Sequence, residues 1–140
     1  MNISVLTIGK LKSEPIQALV SDYLQRLQHY VRIEMVTVRN ESEALTKIKS
    51  HDMLIVCDER GKQMTSLELS SFLEKQQLQA TKRLCFFIGD AQGHSENLRS
   101  KAHALLSFSK MTLPHEFAHV VLLEQLYRAY TILKGEPYHK

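Results

Sequence analysis

Two runs of consecutive apolar residues, Met53 to Cys57 and Leu84 to Ile88, constrain this chain more than any other feature. Neither alternates apolar with polar positions, so neither reads as a strand with one wet face. Strands of this kind are covered on both sides, as parallel strands are in α/β proteins. Each run stops abruptly, at Asp58 and at Gly89. The segments around them read as helices and strands in alternation. That order predicts an α/β fold, a mostly parallel sheet with helices on both faces.

The remaining elements follow from spacing and caps. Ile3 to Ile8 is a strand closed by Gly9. Ser13-Glu14-Pro15 starts a helix, with proline where its missing N–H costs nothing. Ile16, Leu19, Val20, Tyr23, Leu24 and Leu27 then keep helical spacing. Ile33 to Val38 is β-branched and strand-like. Ala44, Leu45 and Ile48 make Glu41 to Ser50 a short amphipathic helix, and Glu59 to Met64 reads as a polar loop. Thr65 and Glu68 form a capping box for a helix carrying Leu67, Phe72, Leu73 and Leu78. Ser95 caps a helix to about Ala104, and Leu105 to Phe108 is a last short strand. Pro114 opens a long helix to Lys134, stopped by Gly135 with Pro137 just beyond. No repeat or linker interrupts this order, and residues 1–140 read as a single domain.

A chain of 140 residues can bury a sizeable core. With 44% hydrophobic and 24% charged residues, the composition excludes a disordered tail or linker. The net charge of +3 permits a nucleic-acid partner without demanding one, because basic residues are spread along the chain. Cys57 and Cys85 both fall in strand runs and are expected to be buried free thiols in a reducing compartment. No window reaches the roughly 20 apolar residues of a membrane span. Met1 to Gly9 is too short for a signal peptide, so a cytoplasmic location is expected.

Four stretches could carry chemistry. In open α/β sheets ligands bind beyond the carboxyl ends of strands. Three such ends are suited to this: Cys57-Asp58-Glu59, Gly89 to Gly93, and Ser109 to Pro114. Glycines there allow close backbone approach and free amides favour an anion, although tight turns alone also require glycine. His115-Glu116-Phe117-Ala118-His119 matches the H-E-x-x-H pattern of zinc hydrolases. It lacks a third ligand, since Leu122 and Gln125 stand where an extended motif needs glycine and histidine, and Glu124 lies too close. The pattern reads as accidental and no metal is expected. The final helix is apolar nearly all round, which suits a core helix or a subunit interface, and Glu124 and Arg128 are spaced to pair. In the tail, Pro137 stiffens the approach to Tyr138 and His139, and His139 can exchange a proton near neutral pH.

Three segments together carry a resemblance to a known family: Ile88-Gly89 with Gly93 after a strand, Leu106 to His115 reading LSFSKMTLPH, and Leu122 to Lys140 ending in GEPYHK. They resemble the ribosomal RNA large subunit methyltransferase H family, small bacterial enzymes of the SPOUT class, and the likeness runs from Val5-Leu6-Thr7-Ile8-Gly9-Lys10 to the last residue. The resemblance implies a C-terminal trefoil knot, a homodimer, and transfer of a methyl group from S-adenosyl-L-methionine to N3 of a pseudouridine in helix 69 of 23S rRNA. The acceptor is the assembled 70S ribosome. It implies cofactor contacts at Cys57, Gly89, Phe108, Ser109, Lys110, Met111, Thr112 and Leu113. It also places Tyr138 and His139 near the transferred methyl; from its ring chemistry, His139 is the expected proton acceptor. Arg128, Lys110 and Lys140 are expected to meet RNA. The chain departs from its relatives at Asp90, usually glycine, at His119, usually arginine, and at Cys57, where leucine is common. Zinc hydrolysis and a non-enzymatic α/β RNA-binding module are the competing readings.

Overall fold

The computed structural model describes residues 1–90 and 92–139. Among these residues five strands and five helices follow one another: β1 (Asn2–Ile8), α1 (Glu14–Leu27), β2 (Arg32–Val38), α2 (Glu41–Lys47), β3 (Asp52–Gln63), α3 (Ser66–Leu78), β4 (Arg83–Ile88), α4 (Glu96–Lys101), β5 (Ala104–Ser107) and α5 (His115–Leu133), with a short 3-10 turn at Pro137–His139. The sheet order is β2-β1-β4-β3-β5, and every pairing is parallel. The two runs that opened the sequence argument are therefore adjacent central strands, with Ile55 opposite Phe86.

Side chains alternate between two apolar layers, as the pleat requires. Ile3, Val5, Ile55, Leu84 and Phe86 face one layer, where Leu122, Leu123 and Leu126 of α5 join Leu73 of α3 and Leu27 of α1. Leu6, Leu54, Val56, Cys85 and Phe87 face the other, against Ala44 of α2 and Leu98 of α4. Helix α5 contacts both α1 and α3, which explains its nearly continuous apolar surface. Each of its fully buried leucines is worth roughly 1.5–3 kcal/mol of apolar burial.

Local signals formed as expected at three helix starts. Ser13, Thr65 and Ser95 each accept a backbone N–H of the first turn, Thr65 within a complete capping box. Asn40 does the same for α2. Other boundaries moved. Helix α2 ends at Lys47 rather than Ser50, and α4 at Lys101, with Ala104 already in β5. On α3, Leu67 and Leu78 are 57% and 82% exposed, while Leu69, Leu73 and Gln76 point inward. At 100° per residue, Leu67 and Leu78 lie on the side opposite Leu69.

The largest correction concerns the polar loop expected from Glu59 to Met64. Strand β3 continues through it to Gln63, and its register on β5 slips: Cys57 and Lys62 both pair with Leu106. The segment between them bulges outward. Gly61 makes this possible, since a Cβ there would sit 2.6 Å from the Leu105 carbonyl carbon and 2.7 Å from the Leu106 amide. Hydrophobic patterning could not show this strand, because its outward residues are polar.

Both cysteines are free thiols, and burial pushes each up to about 12. The thiolate is the reactive form. Native protein at pH 8 is therefore expected to take up iodoacetamide far more slowly than protein unfolded in guanidinium, where both cysteines label. Mass spectrometry of the two time courses checks this, and equal rates would contradict it.

Candidate active site

The carboxyl ends of β3, β4 and β5 surround a cavity of about 550 Å3, within the range of small-molecule sites. Strand β3 contributes Cys57 to Arg60. The turn after β4 contributes Gly89, Asp90 and Gln92 to His94. The stretch after β5 forms the third wall, with Phe108, Ser109 and Met111 to His115. Of the positions singled out in the sequence, Cys57, Gly89, Phe108, Ser109, Met111, Thr112 and Leu113 line this cavity; Lys110 does not, and is exposed.

Short polar contacts shape the walls. Ser107 Oγ donates to the Ser109 carbonyl at 3.0 Å, and Ser109 Oγ accepts the Met111 amide at 2.9 Å. Thr112 Oγ1 donates to Glu59 at 3.1 Å, tying this loop to the β3 bulge. Asp58 is nearly enclosed. Burial works to raise its carboxyl, but the Arg99 Nε bond at 2.8 Å and the Arg60 amide at 2.8 Å outweigh burial and hold it below the usual carboxylate range. Asp58 is thus an ionised, neutralised anchor, whereas Glu59 and Asp90 are the freer carboxylates of the rim.

Gly89 and His94 belong together. A Cβ at Gly89 would stand 2.5 Å from His94 Cε1, so the imidazole packs where any other residue would intrude. His94 Nε2 lies 2.8 Å from the Cys57 carbonyl, which only accepts, so Nε2 carries the proton. Nδ1 is then a buried acceptor without a partner among the described residues. Sequence reasoning passed over His94 and Arg99. Neither has a spacing that distinguishes it from a surface residue, and only the packing of β3 beside the β4 turn brings them in.

The zinc-like pattern is occupied with other work. Glu116 accepts the Lys12 and Ser13 amides at 3.1 and 3.0 Å, docking α5 on the start of α1. His119 is buried, its Nδ1 3.2 Å from the His115 carbonyl and its Nε2 without a partner among the described residues. Burial, with help from His115, lowers His119 below its ordinary 6.5. A base whose folded value is depressed costs nothing above its unfolded value. Stability is then lost as pH falls from about 6.5 through the lowered folded value, because the unfolded chain takes up the proton first. His119→Leu is expected to flatten the fall in urea midpoint between pH 7 and pH 5. An unchanged pH dependence would show that His119 does not carry it.

The tail folds onto the far half of α5. Tyr138 donates to Glu124 at 2.9 Å, lies 3.2 Å from the Tyr23 hydroxyl, and stacks edge-on against Tyr127. Arg128 is the hub: it pairs with Glu124 at 2.8 Å, covers the Tyr138 ring, and reaches His139 Nδ1 at 3.2 Å. Burial, with hydrogen bonds to Tyr23 and Glu124, pushes the Tyr138 phenol up. Since a guanidinium only donates, Nδ1 of His139 accepts and its neutral ring carries the proton on Nε2. This cluster is not part of the cavity of the same chain. Ala118 lines the cavity, and Arg128 lies ten residues further along α5, about 15 Å of helix. Glu124, read from sequence only as an ion-pair partner, is also the anchor of Tyr138. Lys140 lies outside the described residues.

An all-parallel α/β fold with its cleft at the carboxyl strand ends, walled by the segment entering the last helix, defines a ligand-binding α/β protein. Comparison with known proteins agrees. The family model described as "Predicted SPOUT methyltransferase" matches residues 1–139. A protein of Koribacter versatilis called ribosomal RNA large subunit methyltransferase H is 47% identical over 99% of this chain and 98% of its own length. Proteins of the same name from Coprothermobacter proteolyticus and Clostridium botulinum are 42% and 38% identical over the full length of both chains. The chain belongs to the SPOUT methyltransferases, and within them to the ribosomal RNA large subunit methyltransferase H family. Among solved structures, a probable methylase family protein from Haemophilus influenzae shares the fold with a TM-score of 0.63 at 14% identity, over 99% of this chain and 70% of that one. The TrmH/SpoU tRNA modifying enzyme of A. aeolicus does so at 0.52 and 14%, over 96% and 77%.

Proposed function

We propose that residues 1–140 form one methyltransferase domain that transfers a methyl group from S-adenosyl-L-methionine to N3 of a pseudouridine in helix 69 of 23S rRNA, acting on the 70S ribosome in the cytoplasm. The observation that carries this reading is the cavity at the carboxyl strand ends, walled by residues 108–115, in a chain that belongs to this family. Its residues fit a cationic nucleoside cofactor. Ile88, Leu106, Phe108 and Leu113 offer apolar surface to a base, the Gly89 and Gly93 turn lets backbone approach, and Glu59 and Asp90 set carboxylates near a positive ligand. Bound there, the cofactor supplies an electrophilic methyl carbon. The loop Phe108 to Leu113 would hold it and exclude water, with Cys57 contributing backbone. Lys110, exposed beside the cavity, is left to meet RNA.

The tail supplies proton chemistry in this reading. His139 accepts the N3 proton and Tyr138 orients or stacks on the base. Nδ1 of His139 is engaged by Arg128 in the free protein, so Arg128 would have to exchange His139 for an RNA phosphate before the ring can act as a base. That couples substrate arrival to catalytic competence. Because the tail cluster and the cavity lie at different stations along α5, one subunit's tail is available to a second subunit's cavity. A homodimer is the simplest assembly that joins them, and the C-terminal knot comes with the same family reading.

Sedimentation at micromolar concentration is expected to show a dimer; a fully active monomer would defeat the shared-site arrangement. The function itself is tested by mapping methylated pseudouridine by mass in rRNA from cells with and without this protein, and by incubating purified unmethylated 70S ribosomes with protein and S-adenosyl-L-methionine. Helix 69 unmethylated in both arms of both experiments would overturn the proposal.

A further inference from the structure

The end of the sheet opposite the cavity carries a second, basic groove of about 430 Å3. It is built by register. At the amino ends of the strands Asn2 pairs with both Arg32 and Arg83, and Arg83 with Asp52, so Arg32, Asn2, Arg83 and Asp52 form one row across β2, β1, β4 and β3. With strands 4.7–4.9 Å apart, the row spans about 14 Å.

Arg83 is the fixed centre of that row. Its guanidinium holds Asp52 at 2.5 Å, the Lys47 carbonyl at 2.6 Å and Ser4 Oγ at 3.3 Å. Ser4 Oγ in turn donates to Glu34 at 3.1 Å. Asp52 is thereby paired with Arg83, while the exposed Glu34 accepts only the neutral Ser4 hydroxyl. The rim is different. Arg32, Lys49 and Lys82 line the groove, are exposed, and have no carboxylate within 4.0 Å among the described residues. His51 also lines it, 3.4 Å from Asp52. Elsewhere the described arginines at positions 26, 39, 60, 99 and 128 are each paired with an acid. Unpaired cations at three positions around a pinned arginine constitute a surface prepared for a polyanion, since no internal partner must be given up on binding.

We propose that this groove is a second RNA contact, binding backbone phosphates of the ribosomal substrate at the face of the protein away from the cofactor cavity. The inference rests on the reading of the protein as a ribosomal RNA methyltransferase. The row is about as long as four nucleotide rises of a stacked strand at 3.4 Å each. The strands between groove and cavity are six to seven residues long in β1 and β4, about 20 Å, so one stem cannot fill both with the same few nucleotides. The groove therefore acts on placement and affinity. It reads no base and touches no reacting atom.

The test uses the full chain with Arg32, Lys49 and Lys82 all changed to alanine, beside a control carrying Lys75→Ala, Lys101→Ala and Lys134→Ala, which removes the same charge elsewhere. Binding to purified 70S ribosomes is measured from 0.05 to 0.3 M potassium chloride, and S-adenosyl-L-methionine binding by calorimetry. The groove variant is expected to bind ribosomes at least about tenfold more weakly at 0.1 M salt, with the slope of log K against log salt reduced by about 2–3. Cofactor affinity should be unchanged, which also certifies the fold. Equal losses in the control variant, or wild-type affinity and slope in the groove variant, would overturn the proposal. Equal loss of binding to an unrelated duplex RNA leaves it standing as a phosphate contact, as expected for a site that reads no base. If wild-type protein neither binds nor methylates ribosomes, the functional reading fails first and takes this inference with it.

Discussion

His139→Ala is expected to lower kcat by about 10²–10⁴-fold, the usual contribution of a general base, with little change in the affinity for S-adenosyl-L-methionine. The split follows from geometry. His139 contacts Arg128 on the distal half of α5 and lines no part of the cavity walled by Cys57, Gly89, Phe108, Ser109 and Met111 to Leu113. Removing the imidazole should leave those walls untouched while taking away the group assigned to the N3 proton. Arg128 would keep its 2.8 Å bond to Glu124, so the tail loses one contact rather than its anchor, and Tyr138 stays held by Glu124. Single-turnover methylation of unmethylated ribosomes, with cofactor binding by calorimetry, reads both quantities. Wild-type turnover in the variant would remove His139 from the mechanism. Equal losses in turnover and cofactor affinity would mean that the tail acts by supporting the fold.

Gly61→Val is expected to be the most damaging single change to the scaffold. The new Cβ would lie 2.6–2.7 Å from backbone atoms of Leu105 and Leu106, and backbone in a paired strand cannot rotate aside as a side chain can. Overpacking typically costs about 1–3 kcal/mol, and here the two methyls of valine add to it. For a chain of this size each kcal/mol lowers Tm by roughly 3–5 °C, so a drop of several degrees is expected. The damage should also reach function. Strand β5 runs directly into the cavity wall, and Thr112 is tied to Glu59 on the same bulge. Weaker cofactor binding should therefore accompany the lower Tm, measured by scanning calorimetry and titration. Unchanged Tm would show that the bulge re-forms at no cost.

Much of the fold was legible because local rules and global packing agree at those positions. The unalternating runs at 53–57 and 84–88 became adjacent strands covered on both faces, and the caps at Ser13, Thr65 and Ser95 formed where side-chain oxygens precede helical spacing. Patterning failed where the determining contact is made by backbone or by a distant element. Residues 59–64 look like a loop because their side chains are largely polar, yet β3 runs on to Gln63, and Lys62 and Gln63 pair with β5 beyond the bulge. Leu67 and Leu78 look like core, but α3 turns Leu69, Leu73 and Gln76 inward to meet α5 and the sheet.

The candidate site divides in the same way. Gly89 and the loop from Phe108 to Leu113 were visible as strand ends with recognisable letters. His94 became part of the wall only because the β4 turn lies beside Cys57, and Arg99 only because α4 presents it to Asp58. The H-E-x-x-H pattern was equally visible and misleading: its glutamate docks α5 on α1, a contact across about a hundred residues that no local pattern encodes.

By itself, then, the order of residues determined which segments are strands and helices, which strands are buried on both faces, and to which family the chain belongs. These properties depend on periodicity, caps and motif letters, all local in the chain. Only the tertiary structure decided that β3 extends past Asp58, that His94 stands against Gly89, that Tyr138 and His139 gather around Arg128 apart from the cavity, and that Arg32, Arg83 and their basic neighbours share one edge. Each of these depends on the register of strands far apart in sequence. Register is set by the packing of all the elements at once, so no single segment carries it.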